Sequence, residues 1–383
     1  MTTALIELMM GELELKDLYD GFRESEVIKA FAKRIKEKAK DLSKPLNIME
    51  VCGGHTHSIM KYGLPQLMPE NINFIHGPGC PVCIMPKERI DHAYTLAMQE
   101  NVILVTLGDM IKVPGSNGSL QDARAKGADV RFVYSPLDTL AIAKENPQKQ
   151  IIFFAIGFET TTPMTAALLD VVIKKDIQNI LFHINHVTVP EAMALLLNDD
   201  DSNIDAFLGP SHVSVISGSK IYEEFPRDYH KAVVVSGFEP VDVMESIYML
   251  LTQTLENRCE LEIQYKRAVD REGNLKAQAL NDTYFEKVDH FRWRGLGDID
   301  KSGLKLKAEY NKYNAEVIYK DILPFEPIDD HKLCKCGDIL KGKANPLDCS
   351  IFGTACKPNS PIGSCMVSSE GACAAYYKYG NLL

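Results

Sequence analysis

The chain has 383 residues, of which 45% are apolar and 25% charged, enough apolar material for two or three packed domains that fold without stapling. No run of about 18 apolar residues occurs, and acids interrupt the short apolar stretch of MTTALIELMMGELELKDLYDGF, which argues against a membrane-spanning helix and a signal-peptide core. With 52 acids against 42 bases, a net charge of −10 and no basic block interleaved with aromatics, nucleic acid is a poor partner, and a soluble, cytoplasmic protein is expected.

An amphipathic helix is predicted over about 24–41. Continuous apolar, β-rich runs then recur: NIMEV (47–51), INFIHG (72–77), NVILVTL (101–107), VRFVY (130–134), IIFFAIGF (151–158), NILFHINHV (179–187), IDAFLG (204–209) and KAVVVSGF (231–238). Such runs suit strands buried on both faces. Helical patterns lie between them, after Cys83, from Ser135, from Thr161 and from Thr188, with Pro86, Pro136, Pro163 and Pro190 where a first turn tolerates proline. Strand alternating with helix predicts parallel α/β sheets in two domains. A short echo, GFE after a strand at 157–159 and again at 237–239, fits that division. Beyond about residue 255 the chain is charged and poorly periodic, then rich in Gly, Pro and Cys. The expected organisation is a helical segment 1–44, α/β domains 45–147 and 148–255, and a cysteine-rich, loop-dominated module 256–383 held by a cofactor.

Ten cysteines in an unexported chain point to metal or redox chemistry, because structural disulfides are unusual in the cytosol. In MEVCGGHTHS (49–58), Cys52 directly follows a predicted strand, at the carboxyl end of the sheet, where α/β folds place ligands. His55 and His57 follow closely. In HGPGCPVC (76–83), Cys80 and Cys83 form a C-x-x-C ahead of a helix start, which favours thiolate. Cys52, His55, Cys80 and Cys83 also add up to a Cys₃His structural zinc set, so spacing leaves zinc and redox or transient metal chemistry both open. Asp109, Glu159, the Thr160–Thr162 run, His183, His186 and His212 fall at other strand ends, the threonines mainly as helix-capping groups. His92 and His230 are given no role, and Cys259 reads as an ordinary buried thiol. No phosphate loop follows any strand.

Six further cysteines, Cys334, Cys336, Cys349, Cys356, Cys365 and Cys373, crowd the C-terminal stretch. They exceed what one tetrahedral zinc needs and suit an iron–sulfur cluster held by four of them. A zinc ribbon is the alternative, although paired C-x-x-C knuckles are absent.

CGGHTH, GPGCPVC, GFETTTP, PSHVS and the terminal PIGSCMVSSEGACAAYY together resemble the HypD family of nickel–iron hydrogenase maturation proteins, from about residue 45 to the end. The resemblance implies a scaffold that binds HypC and with it assembles and carries an iron bearing two cyanides and carbon monoxide. It also implies that cyanide arrives from HypE, itself fed by HypF, and that delivery is to the hydrogenase large subunit. By the same resemblance Cys52 is the iron ligand, and Cys80 and Cys83 a redox-active pair beside it, the three forming the metal-site set. His55, Asp109, His212 and Glu370 would position ligands or move protons. The family's cluster environment resembles ferredoxin:thioredoxin reductase. That implies Cys334, Cys349, Cys356 and Cys373 as ligands of a 4Fe-4S cluster and Cys336 with Cys365 as a redox pair. The alternative partition takes Cys349, Cys356, Cys365 and Cys373 as ligands. The competing functions are a stand-alone iron–sulfur-dependent thiol–disulfide reductase and a structural zinc protein.

Overall fold

The structure, a computed structural model, describes residues 20–380; the stretch on which the signal-peptide reading rests lies mostly outside the described residues. The expected N-terminal helix is present as Ser25–Lys38, extended by a 3₁₀ turn to Asp41. Ala32 and Ile35 pack its apolar face into the first core.

All eight anticipated strands form: β1 Leu46–Glu50, β2 Ile72–His76, β3 Val102–Leu107, β4 Asp129–Val133, β5 Gln150–Gly157, β6 Ile180–His186, β7 Ala206–Pro210 and β8 Ala232–Ser236. The uninterrupted apolar runs are explained by burial on both faces: every residue of β6, β7 and β8 is buried. A ninth strand, β9 Leu261–Ile263, was not anticipated and adds to the edge beside β8.

The strands form two all-parallel sheets, ordered β2-β1-β7-β8-β9 and β4-β3-β5-β6. Sheet membership cuts across the expected boundary near residue 147. β3 and β4 pair with β5 and β6, whereas β1 and β2 pair with β7 and β8 on the far side of that whole segment. The physical reason is edge satisfaction: β1 finds its second neighbour in β7, with Ile48 opposite Ala206 and Glu50 opposite Leu208. One sheet is therefore built from two separated stretches and the other is inserted between them.

The longest described helix, Pro240–Leu255, covers the first sheet with Val243, Met244, Ile247, Leu250 and Leu251. Beyond it the chain makes a helix Leu275–Tyr284 and two small antiparallel ribbons, β10 Phe285–Lys287 with β13 Leu304–Leu306 and β11 His290–Trp293 with β12 Gly297–Asp300. Trp293 is buried there against Phe158, and its indole N–H donates to Ser302 Oγ at 2.9 Å. The cysteine-rich end is mostly loop, with a short helix Cys336–Leu340 and a terminal helix Ala372–Tyr379. Among the described residues no helix is long and apolar enough to cross a membrane.

Candidate functional site at the carboxyl end of the first sheet

Cys52 stands where β1 ends, as the residue before the helix Gly53–Lys61, with extended backbone. It is buried, and its Sγ lies 3.9 Å from His212 Nε2. His212 comes from the helix Ser211–Ser217 that follows β7, the strand paired with β1. Adjacent parallel strands thus bring a thiol and an imidazole, 160 residues apart in sequence, to one edge. Burial lowers the His212 ring to about 4, so it is neutral, and its Nδ1 is buried without a partner. Burial holds the Cys52 thiol well above its ordinary range, and the carboxylates of Glu370 and Glu50 add to the effect. A soft cation binding this sulfur would have to displace its proton.

Beneath Cys52 lies a buried polar chain. Glu50 accepts from the Cys52 N–H at 3.3 Å, from Thr56 Oγ1, and from His76 Nδ1 at 2.7 Å. The β1–β2 register sets Glu50 opposite His76, which puts the two side chains on one face. His76 Nε2 in turn meets the Tyr376 hydroxyl of the terminal helix at 3.3 Å, and that hydroxyl accepts from Asn345 Nδ2 at 3.0 Å. Burial raises the Glu50 carboxyl against the hydrogen bonds of His76 and Thr56. This chain was missed at the sequence level, although an acid inside an apolar strand was a visible signal.

The C-terminal segment closes the site. A Cβ on Gly53 would lie 2.3 Å from Glu370 Cβ and 2.5 Å from its carbonyl oxygen, so glycine allows the 368–371 loop to press onto the start of the helix. His57 Nδ1 donates to the Ser369 carbonyl at 3.3 Å. Surrounding protein and Asp109, from the turn after β3, push the Glu370 carboxyl up. Asp109 thus lies close enough to act on Glu370, and Glu370 on Cys52. His55 points away from the thiol: its Nε2 pairs with the Gly237 carbonyl at 3.0 Å and its ring lies against Phe238. Burial lowers it to about 4.

Cys80 and Cys83 are both buried, and the Cys83 N–H donates to Cys80 Sγ at 3.3 Å. Cys83 is also within hydrogen-bonding reach of Cys365. Cys365 reaches Cys336, and Cys336 reaches Cys334 and Cys373. The result is a contiguous run of thiols from the C-x-x-C loop into the C-terminal module. Hydrogen bonds from Cys336 and Cys83 lower the Cys365 thiol against its burial. Two further contacts fix the junction: Ser364 Oγ donates to the Cys83 carbonyl, and a Cβ on Gly363 would come within 2.6 Å of both Cys334 Sγ and Cys336 Sγ. Cys356 lies near enough to Cys336 and Cys334 to feel their charge, and the Cys349 thiol faces the Leu333 carbonyl at 3.7 Å.

The remaining candidates sort plainly. Thr161 and Thr162 hydroxyls donate to the Phe158 carbonyl at 3.2 and 3.1 Å, as helix-start groups. Glu159 Oε1 accepts from the Val189 N–H, at the start of the helix Val189–Leu197. His186 is buried between Thr165 Oγ1 and the Gly157 carbonyl. Cys259 is exposed rather than buried, its thiol donating to the His230 carbonyl, because it follows the helix end on an outer turn. Cys52, His55, Cys80 and Cys83 do not gather into a tetrahedral set. Among the described residues the one group of three such donor atoms lying within 4.8 Å of one another is elsewhere, at His92, His183 and Glu316.

Comparison with known proteins agrees with the motifs. The HypD family profile, described as "Hydrogenase formation hypA family", matches residues 26–380. The chain is 50% identical over 368 residues to hydrogenase maturation factor HypD2 of Bradyrhizobium diazoefficiens, covering 94% of this chain and 96% of that one. It is 46% identical to hydrogenase maturation factor HypD of Cupriavidus necator (94% and 96% covered) and 46% identical to that of Escherichia coli K12 (94% and 97% covered). The chain, in which a thiol at the carboxyl end of β1 lies under a cysteine-rich tail, belongs to the HypD family of hydrogenase maturation factors.

Proposed function

We propose that this chain is a cytoplasmic scaffold on which, together with HypC, the iron fragment carrying two cyanides and one carbon monoxide is assembled for the nickel–iron hydrogenase. HypE would donate the cyanides and the large subunit would receive the fragment through HypC. The observation that carries this reading is the placement of Cys52 beside His212 at a strand end. Soft thiolate suits low-spin iron with strong-field ligands. In this reading Cys52 holds the iron cargo, the neutral His212 ring positions the sulfur, and Asp109 and Glu370 position ligands or move protons at the rim.

The donor set of the tail also suits a 4Fe-4S cluster, since Cys356 and Cys373 both lie close to Cys334 within one loop-rich module. Bound there, such a cluster would supply single electrons. Thiols in hydrogen-bonding contact do not occupy two corners of one cube without moving. That leaves Cys336 out of the ligand set, as both partitions do: Cys334, Cys349, Cys356 and Cys373 with Cys336 free to pair with Cys365, or Cys349, Cys356, Cys365 and Cys373. The thiol run that continues through Cys83 also supports a second reading, a stand-alone thiol–disulfide reductase.

Cys52→Ala, co-purified anaerobically with HypC, separates these readings. The expected outcome is loss of the infrared cyanide and carbonyl bands with the visible cluster absorption retained. Unchanged ligand bands would remove Cys52 as the required iron ligand, and absence of such bands in the wild-type complex would favour the reductase.

A further inference from the structure

A second constellation of donors lies in the core of the other sheet. His92 comes from the helix Lys87–Ala97, His183 from β6, and Glu316 from the short helix Ala315–Ile318. One atom of each lies within 4.8 Å of the other two. Both imidazoles are buried and Glu316 is half-buried. No role in the cysteine chemistry uses any of them.

The hydrogen bonds define how the rings are held. His92 Nε2 lies 2.6 Å from the Pro324 carbonyl, an acceptor only, so Nε2 carries the proton and donates, leaving the Nδ1 lone pair turned inward. That Nδ1 lies 3.0 Å from His183 Nε2. On the far side of His183, Asn185 Nδ2 donates to Nδ1 at 3.0 Å. A single proton therefore sits between two buried imidazoles. A histidine whose outer nitrogen is fixed by a carbonyl is oriented as metal-ligating histidines are. Packing fixes the planes as well: Phe154 stacks on His183 at 4.9 Å and Phe325 lies edge-on to His92 at 5.2 Å. Arg89 Nη1 donates to Glu316 Oε1, which anchors the carboxylate while its other oxygen remains available.

We propose that His92, His183 and Glu316 bind one divalent cation of the zinc class, which fastens the 315–325 segment to the second sheet. Two ligands of a tetrahedral zinc at its usual bond length stand roughly 3.3 Å apart, close to the 3.0 Å between the two ring nitrogens. Two imidazoles and a carboxylate, with no sulfur, suit zinc and do not suit iron that carries cyanide. The cation takes the place of the shared proton. His183 then carries its proton on Nδ1, and the Asn185 amide turns over so that its Oδ1, otherwise buried without a partner, accepts it. Phe325, 59% exposed, puts the His92 side of the site next to the surface and so gives the cation an approach. Without the cation the trio is a hydrogen-bonded polar network, as described; with it, three separate chain segments share one ligand.

The test uses the full chain, purified anaerobically, as wild type, His92→Gln and Glu316→Gln. All three keep the same cysteines, so thiolate-bound metal cancels in the comparison. After stripping with a chelator, zinc alone is added back. The expected result is one more equivalent of zinc in the wild type than in either variant, and a zinc-dependent rise in melting temperature of several degrees seen only in the wild type. With cobalt, the wild-type-minus-variant spectrum shows visible ligand-field bands and no thiolate charge transfer. Equal zinc content in the three proteins, or a difference spectrum dominated by thiolate charge transfer, overturns the proposal. Glu316→Gln keeps the two-histidine hydrogen bond and the backbone intact, so the comparison stands even if His92→Gln fails to fold.

Discussion

Glu370 acts on Cys52 from across the chain. Its carboxylate is among the groups that hold the thiol well above its ordinary range, second only to burial. Removing that charge in Glu370→Gln should therefore lower the thiol pKa, and the pH profile of Cys52 alkylation should move to lower pH. An unmoved profile would leave burial and Glu50 as the causes. Glu159 gives a second, independent sign. Burial raises its carboxyl from 4.5 to about 7, against the Val189 N–H, and Oε2 has no partner. Between those values the native chain binds a proton that the unfolded chain has lost. This contribution is therefore fully present below pH 4.5 and disappears as pH rises through 7. Glu159→Gln should lose less stability than wild type between pH 5 and 8, by about 1–3 kcal/mol. Thermal melts across that range decide it, and parallel pH curves for the two proteins would contradict the assignment.

At the scale of elements, the β11–β12 ribbon is pinned by one residue beyond its end. The Arg294 N–H donates to the Ile84 carbonyl at 2.7 Å, next to Cys83. Its side chain is buried, with Nε donating to Asp330 Oδ1 at 2.7 Å and Nη1 to the Pro114 carbonyl at 3.3 Å. The ribbon, the C-x-x-C loop and two further loops meet on this residue, the C-x-x-C loop through its backbone N–H and the other two through its guanidinium. Arg294→Ala removes the donor to Asp330 and Pro114, with Lys87 Nζ still 3.9 Å from Asp330, and is expected to cost about 1–3 kcal/mol. Denaturant unfolding measures it, and the intrinsic fluorescence of Trp293 follows the same ribbon. A loss below about 1 kcal/mol, the range of a surface pair, would show that the ribbon is held by Trp293 packing instead. The Pro240–Leu255 helix teaches a related lesson. Its apolar positions at 243, 244, 247, 250 and 251 follow helical spacing, with proline first and Asp242 in the first turn. That spacing is legible in the sequence directly after GFEP.

For the molecule as a whole, the point of contact between the tail and the first sheet is as consequential as either part. The 368–371 loop meets the Cys52 helix at Gly53, and the terminal helix reaches Glu50 through Tyr376 and His76. Gly53→Ala inserts a methyl into that contact, so the loop must lift. The expected cost is about 1–3 kcal/mol from overpacking, with faster alkylation of Cys52 as its cover loosens. Unchanged alkylation and melting together would mean that the tail does not cap the site.

The sequence by itself determined the eight principal strands and their parallel character, because strands buried on both faces must be apolar throughout. Cys52 at a strand end, the C-x-x-C loop and the cysteine-rich tail were equally legible, since cofactor-handling residue types have few other uses. Three things were decided only in three dimensions. Strand order was one: β1 takes β7 rather than β3 as its neighbour, and no local pattern encodes which edge a parallel strand will seek. The joining of Cys83 to Cys365 was another, set by how a loop after β2 and a turn near the C-terminus pack together. The third was His92, unremarkable as a lone histidine on an amphipathic helix. It becomes a candidate ligand only because β6 places His183 3.0 Å away and the chain returns 224 residues later with Glu316. Side-chain chemistry is written in the residues, but which donors share a site depends on tertiary contacts that sequence spacing does not carry.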